Sequence, residues 1–273
     1  MALKAAIAAL FIYPVKSCRG IEVASSEMTE RGLAHDREWM IVDAAGRFLS
    51  QRELPALALI GTNLSGGALE LTAPGRAPIA ITGNRAGRPL PVTVWRDTLT
   101  AIDQGEEAAE WLSTALGRDL RLVRFDAKLR RACDRRYVGD SGAHTGFADA
   151  YPLLVLSEAS IADLNARLSS PLTVDRFRPN LLVSGVEAYD EDHIDEMVVG
   201  PVRMRLVKPC TRCQITTTDQ QTAERGPEPL VTLAAYRFNA RLDGVAFGVN
   251  AMPIAGYGTT IARGAAVDCS LRF

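Results

Sequence analysis

From residue 6 to residue 15 the chain is almost continuously apolar, a pattern that suits a buried strand, and Pro14 stops it. Residues 22–29, 37–42, 48–52, 58–64, 68–72 and 79–82 follow as short runs punctuated by Gly, Pro and Asp, and residues 92–95 continue the series. Short strands at this spacing with turn signals between them predict a β-barrel or sandwich. The period then changes. Ala108, Ala109, Trp111, Leu112, Ala115 and Leu116 recur at helical spacing and the run closes at Gly117, predicting a helix over Glu106–Leu116. A strand at 120–125 comes next, then an apolar run at 151–156. Ser157 has helix-cap chemistry ahead of a helix over 158–168, and Arg176-Phe177-Arg178-Pro179-Asn180 leads into a strand at 181–184. The fold class is therefore mainly β with a few helices (α+β), divided into domains at 1–120 and 121–273.

At 273 residues and 47% hydrophobic the chain can bury two modest cores. A net charge of −1 gives no general attraction to nucleic acid or to anionic membranes. Five cysteines without framework spacing suit a reducing compartment. The apolar opening behind Lys4 resembles a signal-peptide core, but it ends in Pro14-Val15-Lys16 without a small-x-small cleavage site and is too short to span a bilayer. The expectation is a soluble, cytoplasmic protein with neither nucleic acid nor membrane as partner. The basic run at 128–136 and the acidic run at 187–196, which lacks EF-hand spacing, read as solvated loops.

Candidate chemistry centres on Cys210-Thr211-Arg212-Cys213. Such a pair is half a zinc site, a thioredoxin-type dithiol, or two small buried hydrophobes. Cys18, Cys133 and Cys269 are isolated, which argues against zinc. The Thr- and Ile-rich residues after Cys213 read as a strand rather than the helix N-terminus that activates a redox dithiol. What remains is one soft thiolate offered to a soft metal, beside an arginine suited to an anion, with the other thiol packed as a small hydrophobe. Lys16-Ser17-Cys18-Arg19-Gly20 reads as a strand-end loop offering a lysine, a hydroxyl and turn amides to a phosphate. Arg37 stands at a strand entrance, either as a surface charge or as a partner for Asp36.

Tyr13-Pro14-Val15-Lys16-Ser17, Phe48-Leu49-Ser50-Gln51-Arg52, Leu156-Ser157-Glu158-Ala159-Ser160, Arg176-Phe177-Arg178-Pro179-Asn180 and Cys210-Thr211-Arg212-Cys213 occur in this order with compatible spacing. In this the chain resembles the two-domain MOSC proteins, named after the C-terminal domain of molybdenum cofactor sulfurase, and especially bacterial relatives of the mitochondrial amidoxime-reducing component. The resemblance implies an N-terminal β-barrel domain, a β-barrel MOSC domain, and a molybdenum-molybdopterin cofactor held between them. It puts the metal thiolate on Cys213 and the pterin and phosphate contacts on Lys16, Ser17, Arg37, Ser157, Arg178, Asn180 and Arg212. It also puts Asp149, three residues before Pro152, close to the metal, either to assist proton delivery or as a strand-edge cap. Two departures matter. Ile194 stands where many relatives carry a tryptophan, and the chain ends at Phe273 without the C-x4-C-x2-C cysteines of an appended ferredoxin domain.

The implied activity is reduction of N-hydroxylated compounds such as amidoximes, hydroxylamines and N-hydroxylated nucleobases. Electrons are then expected from a separate protein of ferredoxin, flavoprotein or cytochrome type. Two other classes stay open at this point: a non-catalytic cofactor carrier or insertion protein, which the same binding residues would serve, and a thiol oxidoreductase using Cys210 and Cys213.

Overall fold

The computed structural model describes residues 2–83 and 85–272. Its main body is a closed seven-stranded barrel. Around it run Leu153–Ser157, Leu181–Ser184, Ala2–Ile12, Ala266–Leu271, Ile194–Val199, Val202–Thr211 and Gly244–Ala255, which returns to Leu153–Ser157 through the pairs Leu153–Ala251 and Val155–Val249. Leu153–Ser157 and Leu181–Ser184 are parallel, so a crossover must join them, and the helix Glu158–Arg167 supplies it. Ser157 caps that helix, its hydroxyl accepting from Ser160 N at 3.0 Å. The barrel interior is filled by Ile7, Leu10, Val155, Leu181, Val183, Met197, Met204 and Val249, all at or below 1% exposure. Along Val202–Thr211 the reason is visible in the sequence, where Val202, Met204 and Leu206 point inward between exposed Arg203 and Arg205. Past Leu206 the pairing with Gly244–Ala255 slips twice around Pro209, which has no N–H to give the ladder.

The first half of the chain adds a half-barrel. Trp39–Asp43, Leu120–Arg124, Asp97–Asp103 and Pro89–Val94 pair in that order, while Gly61–Ser65, Ala68–Thr72 and Ile79–Thr82 form a separate meander. The helix Glu106–Leu116 lies where its apolar spacing puts it and ends at Gly117 in the left-handed region, φ 66°. The expected mainly-β, two-barrel architecture is what the chain adopts. The sheets do not divide at residue 120, however, because Ala2–Ile12 pairs with Leu181–Ser184 and Ala266–Leu271 inside the second barrel.

Four local expectations need correction. Residues 48–52 form turns joined to the sheet by the single bridges Val42–Phe48 and Arg47–Thr93. Residues 58–64 divide into a 3-10 turn, Pro55–Leu59, and a strand, Gly61–Ser65. The acidic run is not all solvated: Glu191 is fully buried, accepts from Ser157 N at 3.3 Å, and burial pushes its carboxyl up. In the basic run Arg131 has a side chain only 10% exposed that donates to the carbonyls of Gly146, Ala148 and Asp149. Among the described residues no helix is long and apolar enough to cross a membrane.

Glu38 ties the half-barrel together. It takes Arg124 Nε and Nη2 at 2.8 and 2.6 Å and His35 Nδ1 at 2.7 Å, while Arg124 lies 4.8 Å over the Trp39 ring. Desolvation raises this carboxyl, but the His35 and Arg124 bonds outweigh it and bring it down to about 2. An acid depressed in the folded state stabilises above its ordinary value, and the gain is lost as pH falls through the folded value. Between pH 5 and 2 the fold is therefore expected to lose on the order of 2–3 kcal/mol through Glu38 alone. Urea unfolding across that range should show the loss in the wild type and a correspondingly flatter profile in Glu38→Gln. Parallel profiles would mean that the carboxylate carries no such linkage.

Candidate functional site

The loops at one end of the barrel and the turns of the half-barrel enclose a cavity of about 140 Å³. Lys16, Ser17, Arg37, Ser50 and Arg52 line it from the first half; Asp149, Arg176, Arg178, Asn180, Cys210, Arg212, Cys213, Thr216 and Asn250 do so from the second. Its polar lining is strongly cationic, with Asp149 the one acid in it.

Both cysteines of the pair are free and half-buried. The strand leads into the motif rather than out of it: Val202–Thr211 ends within it, carrying Cys210, and a 3-10 turn, Gln214–Thr217, comes after Cys213. Each thiol has its own arginine. Arg212 Nη1 lies 3.0 Å from Cys210 Sγ, and Arg52 Nη2 lies 3.3 Å from Cys213 Sγ. Cys210 is therefore a cavity wall and not a core hydrophobe. A four-residue turn provides little of the helix dipole that activates a thioredoxin-type thiol.

Beneath the thiols lies a stack of cations. The buried Tyr13 ring has the Arg37 guanidinium on it at 4.2 Å and that of Arg178 also at 4.2 Å. Arg37 is a partner for Asp36, bonded at 2.7 and 2.6 Å, and reaches Asn180 Oδ1 at 3.2 Å. Asn180 is itself fixed, accepting from Leu154 N at 3.1 Å and donating to Phe11 O at 3.2 Å. Arg178 donates to Cys18 O at 2.7 Å, and Arg212 Nη2 to Phe177 O at 2.5 Å. Ser17, Arg37 and Arg178 all hold positive φ, at 67°, 47° and 56°, although none is glycine. Such backbone states persist where surrounding structure over-determines them, and they gather at binding sites.

Lys16 is buried and donates to Phe147 O at 2.8 Å and to Asp149. Burial pushes its ammonium down, and the Asp149 carboxylate offsets this only in part. Asp149, whose side chain is 57% exposed, is raised by desolvation but lowered more by Lys16, Arg52 and Trp95, so it stays well below the usual carboxylate range. At neutral pH it is a carboxylate that accepts hydrogen bonds, among them one from Lys16.

The structure thus brings Lys16, Ser17, Arg37, Asp149, Arg178, Asn180, Arg212 and Cys213 to one cavity. Ser157 lies apart, fully buried and absent from the lining, with its hydroxyl engaged in the helix cap. Sequence reasoning did not single out Arg52, Arg131 or Trp95. Arg52 stood within a quoted motif, which was its only signal.

Two observations bear on what the cavity suits. Arg178 Nη2 and Arg212 Nε are buried without a hydrogen-bond partner, and both residues line the cavity. Buried donors left open in this way call for an acceptor, and guanidinium groups call for an anion. Among the described residues no group of three or more His, Cys, Asp and Glu is placed to hold a metal ion, so the donor set is a thiol in a cationic pocket and not a closed zinc cage. A phosphate-bearing cofactor whose metal accepts one soft thiolate fits these residues.

Residues 4–119 match the MOSC N-terminal beta barrel domain and residues 142–267 the MOSC domain. The chain is 36% identical over 244 residues to mitochondrial amidoxime reducing component 2 of Rattus norvegicus, covering 85% of this chain and 72% of that one. Against mitochondrial amidoxime-reducing component 1 of Homo sapiens it is 35% identical over 247 residues, again 85% and 72%. Molybdenum cofactor sulfurase of Oryza sativa subsp. japonica is 34% identical over 251 residues, which cover 84% of this chain and 30% of that longer protein. This chain belongs to the two-domain MOSC family, in the company of the mitochondrial amidoxime-reducing components.

Proposed function

We propose that the protein is a molybdenum cofactor-dependent reductase of N-hydroxylated compounds that draws its electrons from a separate protein. The observation that carries this reading is the half-buried Cys213 thiol set in a pocket whose arginines have open, buried donors. Cys213 would offer the single thiolate ligand, with Arg52 beside it stabilising the anionic sulfur. Arg37, Arg178, Arg212, Ser17 and Lys16 would hold the phosphate and pterin, Asn180 bracing Arg37. When bound, the molybdenum cofactor supplies the two-electron redox centre that takes oxygen from an N–OH group. The Asp149 and Lys16 pair would hold and pass protons that the reduction of N–OH to N–H and water consumes.

Molybdenum analysis of the purified protein, with a benzamidoxime reduction assay driven by an artificial donor, tests the reading. Metal with turnover supports it. Metal without turnover favours a cofactor carrier. Neither metal nor turnover returns the pair Cys210 and Cys213 to thiol chemistry. The five cysteines of the sequence lack C-x4-C-x2-C spacing, so reduction is expected with a low-potential dye or an added reductase and not with NADH alone. Turnover with NADH and no added protein contradicts the separate donor.

A further inference from the structure

Asp97 pairs with Val94, which leaves Trp95-Arg96 as the two-residue turn of the hairpin Pro89–Val94/Asp97–Asp103. Turns this tight favour Asn-Gly, because the backbone enters the left-handed region. Here a tryptophan does so, at φ 58°, with 43% of its surface exposed. An aromatic residue in that conformation is an outlier that needs something to hold it. Three contacts do. The indole Nε1–H donates to Asp149 Oδ1 at 3.1 Å, the Arg52 guanidinium lies 4.6 Å from the ring centroid, and the Phe48 ring packs 5.0 Å away at 56°.

Both polar partners belong to the cavity, whereas Trp95 is not part of its lining. Arg52 passes from the indole face to the Cys213 thiol, and Asp149 passes from the indole N–H to Lys16. The first strand residue after the turn reinforces the tie. Asp97 accepts from Arg131 Nε at 2.5 Å, and Arg131 in turn holds the Gly146, Ala148 and Asp149 carbonyls. The hairpin tip of the half-barrel therefore grips, by side chain and by backbone, the barrel loop that carries Asp149.

We propose that Trp95 is a positioning residue of this site: its indole N–H fixes the Asp149 carboxylate and its ring fixes Arg52 beside Cys213. The proposal rests on the reductase reading for its kinetic consequence and on geometry alone for the tie itself. Asp149 has two acceptor oxygens, and Oδ1 is claimed by both Lys16 and Trp95. Losing the indole frees the carboxylate to rotate about Lys16, which costs orientation more than charge.

Two arms test this on the cofactor-loaded protein. In 15N-labelled protein the three tryptophans give separable indole N–H resonances, and W95F identifies that of Trp95. In D149N this resonance is expected to move while the indole signals of Trp39 and Trp111 stay; an unmoved Trp95 signal overturns the tie. In the benzamidoxime assay W95F, which keeps a ring for Arg52 and Phe48, is expected to lower kcat roughly tenfold with KM, molybdenum content and melting temperature unchanged, and W95A to lower it further. W95F turning over like wild type overturns the positioning role, as does a loss that follows melting temperature. Failure of the wild type to reduce the substrate instead sinks the reductase reading, and the resonance arm still decides whether Trp95 holds Asp149.

Discussion

Cys213→Ser is expected to keep the fold and lose turnover by about a thousandfold or more, equivalent to about 4 kcal/mol of barrier. A serine hydroxyl stays protonated at neutral pH and is not a soft donor, whereas the half-buried thiol faces the Arg52 guanidinium at 3.3 Å. Cys210→Ser is expected to stay within about tenfold of wild type, or about 1.4 kcal/mol, because its partner Arg212 can donate to an oxygen as readily as to the sulfur it meets at 3.0 Å. Since Cys210 is half-buried at the cavity wall, its replacement should cost less than about 1 kcal/mol of stability. Steady-state reduction assays and thermal melts on both variants check this. Equal loss of activity in the two would sink the single-thiolate arrangement and revive the dithiol.

How far the sequence disclosed this arrangement depended on whether local or tertiary forces decided each element. The helix Glu106–Leu116 was legible because its apolar period and Gly117 act locally. The segment after Cys213 was misread for a local reason as well. Its β-branched residues favour a strand, but the Thr216 and Thr217 hydroxyls bond back to Cys213 O at 3.0 Å and Gln214 O at 2.9 Å and hold a 3-10 turn. Glu191 looked like a solvated acid because nothing nearby in sequence announces the Ser157 N–H that donates to it. Arg131 was one cation among four arginines and a lysine in the basic run, and only the returning loop at 146–149 gives it carbonyls to hold. The site was legible through five ordered motifs, and those motifs supplied every residue of the expected set except Arg37 and Asp149. Their chemistry alone set the sign of the pocket's charge and could not have named a ligand. Trp95 escaped because a tryptophan in a two-residue hairpin turn runs against turn propensity, and what holds it there lies on other segments.

Arg178→Ala is expected to separate cofactor binding from stability. Its Nη2 is buried although the residue as a whole is only half-buried. Desolvation, with the Arg37 charge added, pushes it down to about 10, still charged at neutral pH. Two opposing consequences follow from that position. Removing the side chain forfeits the 2.7 Å bond to Cys18 O and the contact with Tyr13, yet it also relieves the burial cost and the repulsion between two guanidiniums on one ring. These nearly cancel, so the cofactor-free protein should unfold within about 1 kcal/mol of wild type. Binding has no such cancellation. The open Nη2 is free to bond an anion, and a charge-assisted bond of that kind contributes about 1.5–3 kcal/mol. Molybdenum per chain should therefore fall by about tenfold or more at limiting cofactor, and the extra thermal stability conferred by the cofactor should shrink in step. Arg178→Lys should fall between the two, since an ammonium keeps the charge and loses the fork. Molybdenum content equal to wild type in Arg178→Ala, or a cofactor-free protein several kcal/mol less stable, would show that Arg178 serves the fold and not the ligand.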